Sequence, residues 1–499
     1  MKQRLNRSSR LPAHVAVPDY NPADYGVGIV HLGIGAFHRA HQAVYTDEAI
    51  SRFGGDWRIA AVSLQNSTVA QALNNQQGLY SVLIRDDPDT RCRIVACIDQ
   101  VIALRTTATE PVRVQQFNRM MQQLTAASTK IVSLTVTEKA YGIDRRSLQV
   151  DTTHSAISED LAHAGQACGV IGILVHALKL RRKEGIEPFT VLCCDNLPEN
   201  GKFVRSGVID FARRIDEPLA AYIEMQVSFP GTMVDRITPA STDELITEVE
   251  TVLGARDEGT VETEPFSQWV IEDRFPGGRP RWEAGGAQFV DNVAPYEMMK
   301  LRMLNGAHSL IAYAGYVAGF ATVRDVMQSA EFVVLVRAHM MAAARTLPRL
   351  DAVNFDDYAA SLVQRFSNRA IAHRTYQIAM DGTEKLPQRI FEPALHAIQH
   401  NQSIEAFAFA VAAWMAYCRG VNDNGEPHNL RDPREKEIVS ALRAHENTAC
   451  GVYQALSALT DFMPEQLVAD TVWRTAVIRH LEVMLQQGML AAITQQCDS

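Results

Sequence analysis

"GIVHLGIGAFHRAHQ" (Gly28–Gln42) decides how the first half of the chain is read. An apolar run ends at Gly33-Ile34-Gly35, and a helix-like segment follows. That is the setting of a dinucleotide-binding turn. The first glycine permits the tight turn, and the second lets backbone N–H groups approach a pyrophosphate at a helix N-terminus. His38 replaces the third glycine of the G-x-G-x-x-G fingerprint, and His41 stands three residues on. Three readings fit this spacing. Gly33, Gly35, Ala36, Phe37, His38 and Arg39 form a cofactor turn; His38 and His41 share a helix face and hold a metal; or the segment is a plain strand–helix junction. A zinc site needs at least three protein ligands, and no third stands nearby, so the metal reading is the weakest. Between the other two, spacing alone does not choose.

Short β-branched apolar runs recur along the first half: "VGIVHLG" (27–33), "WRIAAVSL" (57–64), "KIVSLTVTE" (130–138) and "FTVLCCDN" (189–196). Continuous apolar runs of this length suit strands buried on both faces, as in a parallel sheet. Helix-like stretches alternate with them at 40–53, 111–124 and 171–185. The expected fold is therefore an α/β Rossmann-type domain with a parallel sheet. From about Tyr296 the apolar spacing turns helical and strand runs cease. The chain is divided into an N-terminal domain over 1–288 and a mostly α-helical domain over 289–499. Gly285, Gly286 and Pro295 punctuate the junction.

Bulk properties narrow the function. With 499 residues, 47 % of them hydrophobic, the chain can bury more than one large core. A net charge of −9 argues against a nucleic-acid partner. "AFAFAVAAWMAYC" (406–418) is too short to span a bilayer and reads as a buried helix. The basic N-terminus lacks an apolar core and does not read as a signal peptide. The eight cysteines form no CxxC pair, which suits a reducing, cytoplasmic setting. No membrane partner is expected, and the chain is read as a monomer or a small homo-oligomer.

Ligands of open α/β sheets sit beyond the carboxyl ends of the strands. Polar groups close three candidate strands: Glu138-Lys139, Asp195-Asn196 and Asp235-Arg236. Singly each suits a cap or loop; with the glycine turn they outline a cleft. The second strand ends in "SLQNS" (63–67), with neither the carboxylate that favours NAD nor the basic residue that favours NADP. Gln65 and Asn66 remain as partners for a ribose hydroxyl. Farther on, "EMMKLRMLNGAHSLIAY" (297–313) places Lys300, Asn305 and His308 in one helical stretch. At ~100° per residue they fall at about 0°, 140° and 80°, on one broad face. A lysine in apolar surroundings loses solvation and becomes a base, an asparagine donates to a developing oxyanion, and a histidine orients either. An amphipathic helix with a polar stripe explains the same pattern.

Taken together, "IVHLGIGAFHRAHQ", "VSLTVTEKAYG", "CDNLPENG", "FPGTMVDRI", "QWVIEDRF", "KLRMLNGAHS" and "QIAMDGTEKLPQR" closely resemble the long-chain mannitol dehydrogenase family. They keep the family's order over about residues 28 to 390. The resemblance implies a zinc-independent, NAD(P)-dependent dehydrogenase of polyols or sugar acids. It implies that Lys300 of K-x4-N-x2-H is the general acid/base, and that Asn305 and Asn196 hold the reacting oxygen. It further implies that His308 orients the substrate, with Asp235 and Glu138 near the site and Glu138 relaying a proton. The "FHRAH" run belongs to the family, so the missing glycine no longer counts against a dinucleotide, and the two histidines read as cleft lining. Polyol-oxidising members carry an arginine where this chain has Gln377, and Arg369 replaces the family's usual proline. The segment around "HRTYQIAMDGTEKLPQR" resembles the hexuronate branch, the fructuronate reductases (D-mannonate oxidoreductases). Arginine and lysine bind carboxylates, so Arg374 or Lys385 is expected to contact a uronate. The implied reaction is reversible NADH-linked reduction of D-fructuronate. NADP, other substrates (mannitol, arabinitol, altronate or tagaturonate) and a non-catalytic nucleotide-binding regulator are the alternatives.

Overall fold

The structure, a computed structural model, describes residues 3–65, 67–86, 88–104, 109–163, 167–350, 353–370 and 373–498. The chain forms two compact units, Met1–Ala294 and Pro295–Ser499. Strands among the described residues are confined to the first unit. They are β1 (Val27–Leu32), β2 (Arg58–Ser63), β3 (Tyr80–Ile84), β4 (Arg91–Val95), β5 (Ile98–Ala103), β6 (Ile131–Leu134), β7 (Thr190–Cys193), β8 (Thr232–Asp235), β9 (Val261–Thr263), β10 (Gln268–Glu272) and β11 (Gln288–Val290).

Five strands form a parallel sheet in the order β5-β2-β1-β6-β7. Counted along the chain within this sheet, the order is that of a Rossmann half followed by its crossover, with the switch point between β1 and β6. The apolar runs are continuous because both faces are covered. Val30, Leu32, Ala60 and Val62 pack into one core with Leu124, Leu174 and Val204. Their neighbours Ile29, Ile59 and Ala61 face the other core, with Tyr45, Trp269 and Trp282. Each Val, Leu or Ile among them contributes about 1.5–3 kcal/mol by leaving water.

Two expectations are corrected here. The run 130–138 is a strand only over Ile131–Leu134, because the chain turns away and Thr137 adopts a left-handed φ of 72°. Asp235 ends a strand, but not one of the parallel sheet. β8 runs antiparallel to β10 in a separate three-stranded sheet, β11-β10-β8. Pairing of β11 with β10 holds residues 288–290 in the first unit, whose last residue is Ala294.

The second unit is helical among its described residues. Its centre is the helix Glu405–Tyr417, whose residues from Phe407 to Tyr417 are all buried. This helix packs on Thr471–Gln487 and on Gly306–Val317. No helix among the described residues is long and apolar enough to cross a membrane.

Candidate active site

In the first unit the site begins at the turn after β1. Gly33 has φ 99°, and a Cβ built on it would lie 2.2 Å from the carbonyl oxygen of Thr135. Only glycine lets β1 end this close to the chain leaving β6. Gly35 differs: its Cβ would meet nothing nearer than the Gly33 oxygen at 3.9 Å. It opens the helix Ala36–Ala40 without any side-chain cap. Open space before uncapped N–H groups fits a pyrophosphate, which takes the place a Cβ would fill.

The side chains that follow do not face that space, which corrects the expectation for His38, His41 and Arg39. His38 is fully buried, and its ring stacks on His31 at 3.4 Å. His41 is buried too, its Nε2 2.9 Å from the carbonyl of Gln268. Arg39 turns inward, donating to the carbonyls of Gly35 and Gly259. These groups brace the turn from behind. Phe37 stacks on His41 at 5.0 Å and is only partly buried. Sequence reading missed the brace's other half: His31 Nδ1 lies 2.8 Å from Ser133 Oγ, and its Nε2 lies 2.9 Å from Thr135 Oγ1. That bracing sits in the alternating pattern of a strand, where a histidine carries no signal of its own.

Burial pulls the His31 imidazole down to about 3, and that of His38 well below its ordinary value. Between about pH 6.5 and 3 the unfolded chain therefore holds a proton at residue 31 that the folded chain does not. Stability is full above this window and falls as pH drops through it, by about 1.4 kcal/mol per pH unit for one histidine. In urea titrations at pH 6.5, 5.5 and 4.5, His31→Gln is expected to lose stability less steeply than the wild type. Parallel slopes would show that the residue is protonated in the folded state.

At the ends of the next strands, Asp195 clamps the turn after β6. Its carboxylate accepts from the N–H groups of Val136 (3.0 Å) and Thr137 (2.9 Å) and from the Tyr141 hydroxyl (2.6 Å). Asn196, next in the chain, is exposed. Both oxygens of Glu138 are held by Arg145. Asp235 is buried at 6 % exposure, and Gln65 is exposed beyond β2. Asn66 lies outside the described residues.

In the second unit, Lys300 to Asn305 form a π-helical turn that runs directly into the helix Gly306–Val317. The Gly306 N–H reaches back to the Leu301 carbonyl, the i→i+5 bond that defines such a turn. The i→i+5 bond winds the chain more loosely than an α-helix, so the side-chain angles expected from α-helical spacing do not hold across this turn. Lys300 is 7 % exposed and His308 9 %. The His308 ring lies 4.6 Å from Phe366 and, edge-on, 5.6 Å from His373. Its Nε2 is buried without a hydrogen-bond partner among the described residues. Burial first, then the basic side chains of His373, Arg365, Arg389 and Lys300, push this imidazole well below its ordinary range and so keep it neutral.

A second π-helical turn, Pro387–Phe391, packs against the first. Pro387 lacks the N–H that would continue the helix from Gly382–Leu386. Lys385 lies just before it. Its ammonium donates to the carbonyls of Ile378 and Met380, and burial, then Arg389, pull it down to about 8. Arg374 is exposed at the start of the short helix Thr375–Ile378. Among the described residues, no hydrogen bond or ion pair ties its side chain to the His308 surroundings, whereas Lys385 acts on His373 beside that ring. Among the described residues, no group of three or more His, Cys, Asp or Glu gathers as a metal would require.

Both units match known families along most of their length. The model of the mannitol dehydrogenase Rossmann domain matches residues 27–284, and that of the mannitol dehydrogenase C-terminal domain matches 292–478. The chain is 42 % identical over 494 residues to the uncharacterized oxidoreductase YeiQ of Escherichia coli, covering 97 % of this chain and 98 % of that one. It is also 42 % identical over 484 residues to the D-mannonate oxidoreductase of E. coli, covering 96 % and 97 %. Among solved structures, the ternary complex of Pseudomonas fluorescens mannitol 2-dehydrogenase with NAD and D-mannitol superposes with a TM-score of 0.83 at 33 % identity, covering both chains fully. Matched in both domains and by relatives of equal length, this chain belongs to the mannitol dehydrogenase family of oxidoreductases.

Proposed function

We propose that the protein interconverts D-fructuronate and D-mannonate with NAD(H). The observation that carries this reading is the charge around His308. The ionisable groups that bear most on its ring, Lys300, Arg365, His373 and Arg389, are all basic. A neutral polyol gains nothing from such surroundings; a sugar acid does. The 42 % identity to a D-mannonate oxidoreductase, against 33 to 35 % to mannitol 2-dehydrogenases, supports the same choice.

The turn at Gly33 and Gly35 would hold the cofactor's pyrophosphate, with Ala36 and Phe37 opening the helix behind it and Gln65 placed beyond β2 for a ribose. Once bound there, the nicotinamide supplies the hydride for the ketone carbon. Lys300 gives a proton to the ketone oxygen as the alcohol forms, and takes it back in oxidation. Asn305 and Asn196 donate hydrogen bonds to that oxygen as it gains charge. Neutral His308 orients the substrate, with Asp235 at the site. Glu138 relays the proton once Arg145 releases it. Lys385 attracts the carboxylate, with Arg374 as the more distant candidate.

The test follows NADH absorbance with D-fructuronate, D-tagaturonate and fructose, and repeats the best substrate with NADPH. Turnover is expected with D-fructuronate and NADH. Turnover of fructose without either uronate would overturn the sugar-acid reading, and turnover of tagaturonate alone would move it to the altronate pair. No turnover with any of them would favour a nucleotide-binding regulator.

A further inference from the structure

Arg389 ends the family-like segment "QIAMDGTEKLPQR", although neither motif nor spacing gave it a role. It lies on the second π-helical turn, four residues after Lys385 and therefore on the same side of that helical run. Its Nη1 donates to the Ser309 hydroxyl at 3.2 Å and to the Asn305 carbonyl at 3.4 Å. One nitrogen is thus fixed to the backbone of Asn305 and to the residue after His308. The guanidinium has five donors in a planar fork. Among the described residues Nε and Nη2 donate to nothing, and no carboxylate lies among the partners of Arg389. A cation placed beside Lys385 and His308 without a counter-charge is unfavourable unless something anionic arrives. Two parallel donors held in place match a carboxylate.

We infer that Arg389 is the residue that reads the carboxylate of the substrate, gripping it through Nε and Nη2 while Nη1 stays on Ser309 and Asn305. This rests on the sugar-acid reading above and gives Lys385, in place of Arg374, a partner whose side chain is already joined to the Lys300–His308 segment. The grip sets a fixed separation between carboxylate and reacting carbon, so it selects acids of one chain length.

The test compares full-length wild type with Arg389→Gln and Arg389→Lys, with D-fructuronate and NADH varied in turn. Arg389→Gln is expected to raise the KM for the uronate about 10- to 100-fold, the worth of a charge-assisted hydrogen-bond pair. The rise in KM should exceed any fall in kcat, the KM for NADH should move less than about twofold, and Arg389→Lys should recover part of the loss. Calorimetric titration of D-mannonate into each protein with NAD should weaken in parallel. A fall in kcat with KM unchanged would assign Arg389 to bracing the π-helical turn and overturn the inference. Unchanged kinetics in a wild type that reduces D-fructuronate would overturn it alone. A wild type that reduces only neutral ketoses would overturn this inference and the sugar-acid reading together.

Discussion

Lys300→Ala is expected to lower kcat by about 10²- to 10⁴-fold, the usual worth of a positioned acid/base, with NADH binding unchanged. The side chain is buried at 7 % exposure on the π-helical turn that also carries Asn305. On the proposed mechanism, removing the ammonium takes away the proton donor. Steady-state kinetics would give kcat, and fluorescence titration would give the affinity for NADH. Lys300→Met fills the vacated volume and separates lost chemistry from lost packing. Added methylamine should restore part of the alanine variant's turnover by replacing the missing amine. A kcat within about threefold of wild type would remove Lys300 from the proton path.

Gly33→Ala and Gly35→Ala are expected to fail in different ways, although they sit two residues apart in one motif. At Gly33 the new Cβ would lie 2.2 Å from the Thr135 oxygen, on a backbone with φ 99°. Strain of this kind costs about 1–3 kcal/mol from the dihedral alone. The parting of β1 and β6 adds to it, so the melting temperature should fall by about 5–10 °C in a unit of this size. At Gly35 the Cβ enters open space, so stability should hold. There the methyl occupies the room proposed for the pyrophosphate, and NADH affinity should drop at least about tenfold. Calorimetry and NADH titration on both variants decide the matter. Wild-type melting for Gly33→Ala, or wild-type NADH affinity for Gly35→Ala, would each refute its half.

Much of the first unit was legible in the chain because burial on both faces leaves a direct trace. Four apolar runs were read as strands, and each contains a strand of the parallel sheet. The strand Ile98–Ala103 was missed, since Asp99 and Gln100 interrupt its apolar pattern. Residues 135–138 were read too far into a strand, because their β-branched types suit one although Thr137 turns out of it. Side-chain direction was the less legible part. His38 and Arg39 occupy motif positions, and only packing against His31 and Gly259 shows that they face inward.

The sequence by itself determined the family, the alternation of strand and helix, the glycine turn and the residue types of the K-x4-N-x2-H segment. These are local: period, composition and order along the chain suffice to state them. Only the tertiary structure decided that this segment is a π-helical turn, that β8 leaves the parallel sheet, and that Arg389 joins Ser309. Each depends on what a distant stretch of chain places alongside, such as the second π-helical turn against the first. A propensity summed over neighbours carries no information about such a partner, and so the site's charge was visible in the sequence only as scattered basic residues.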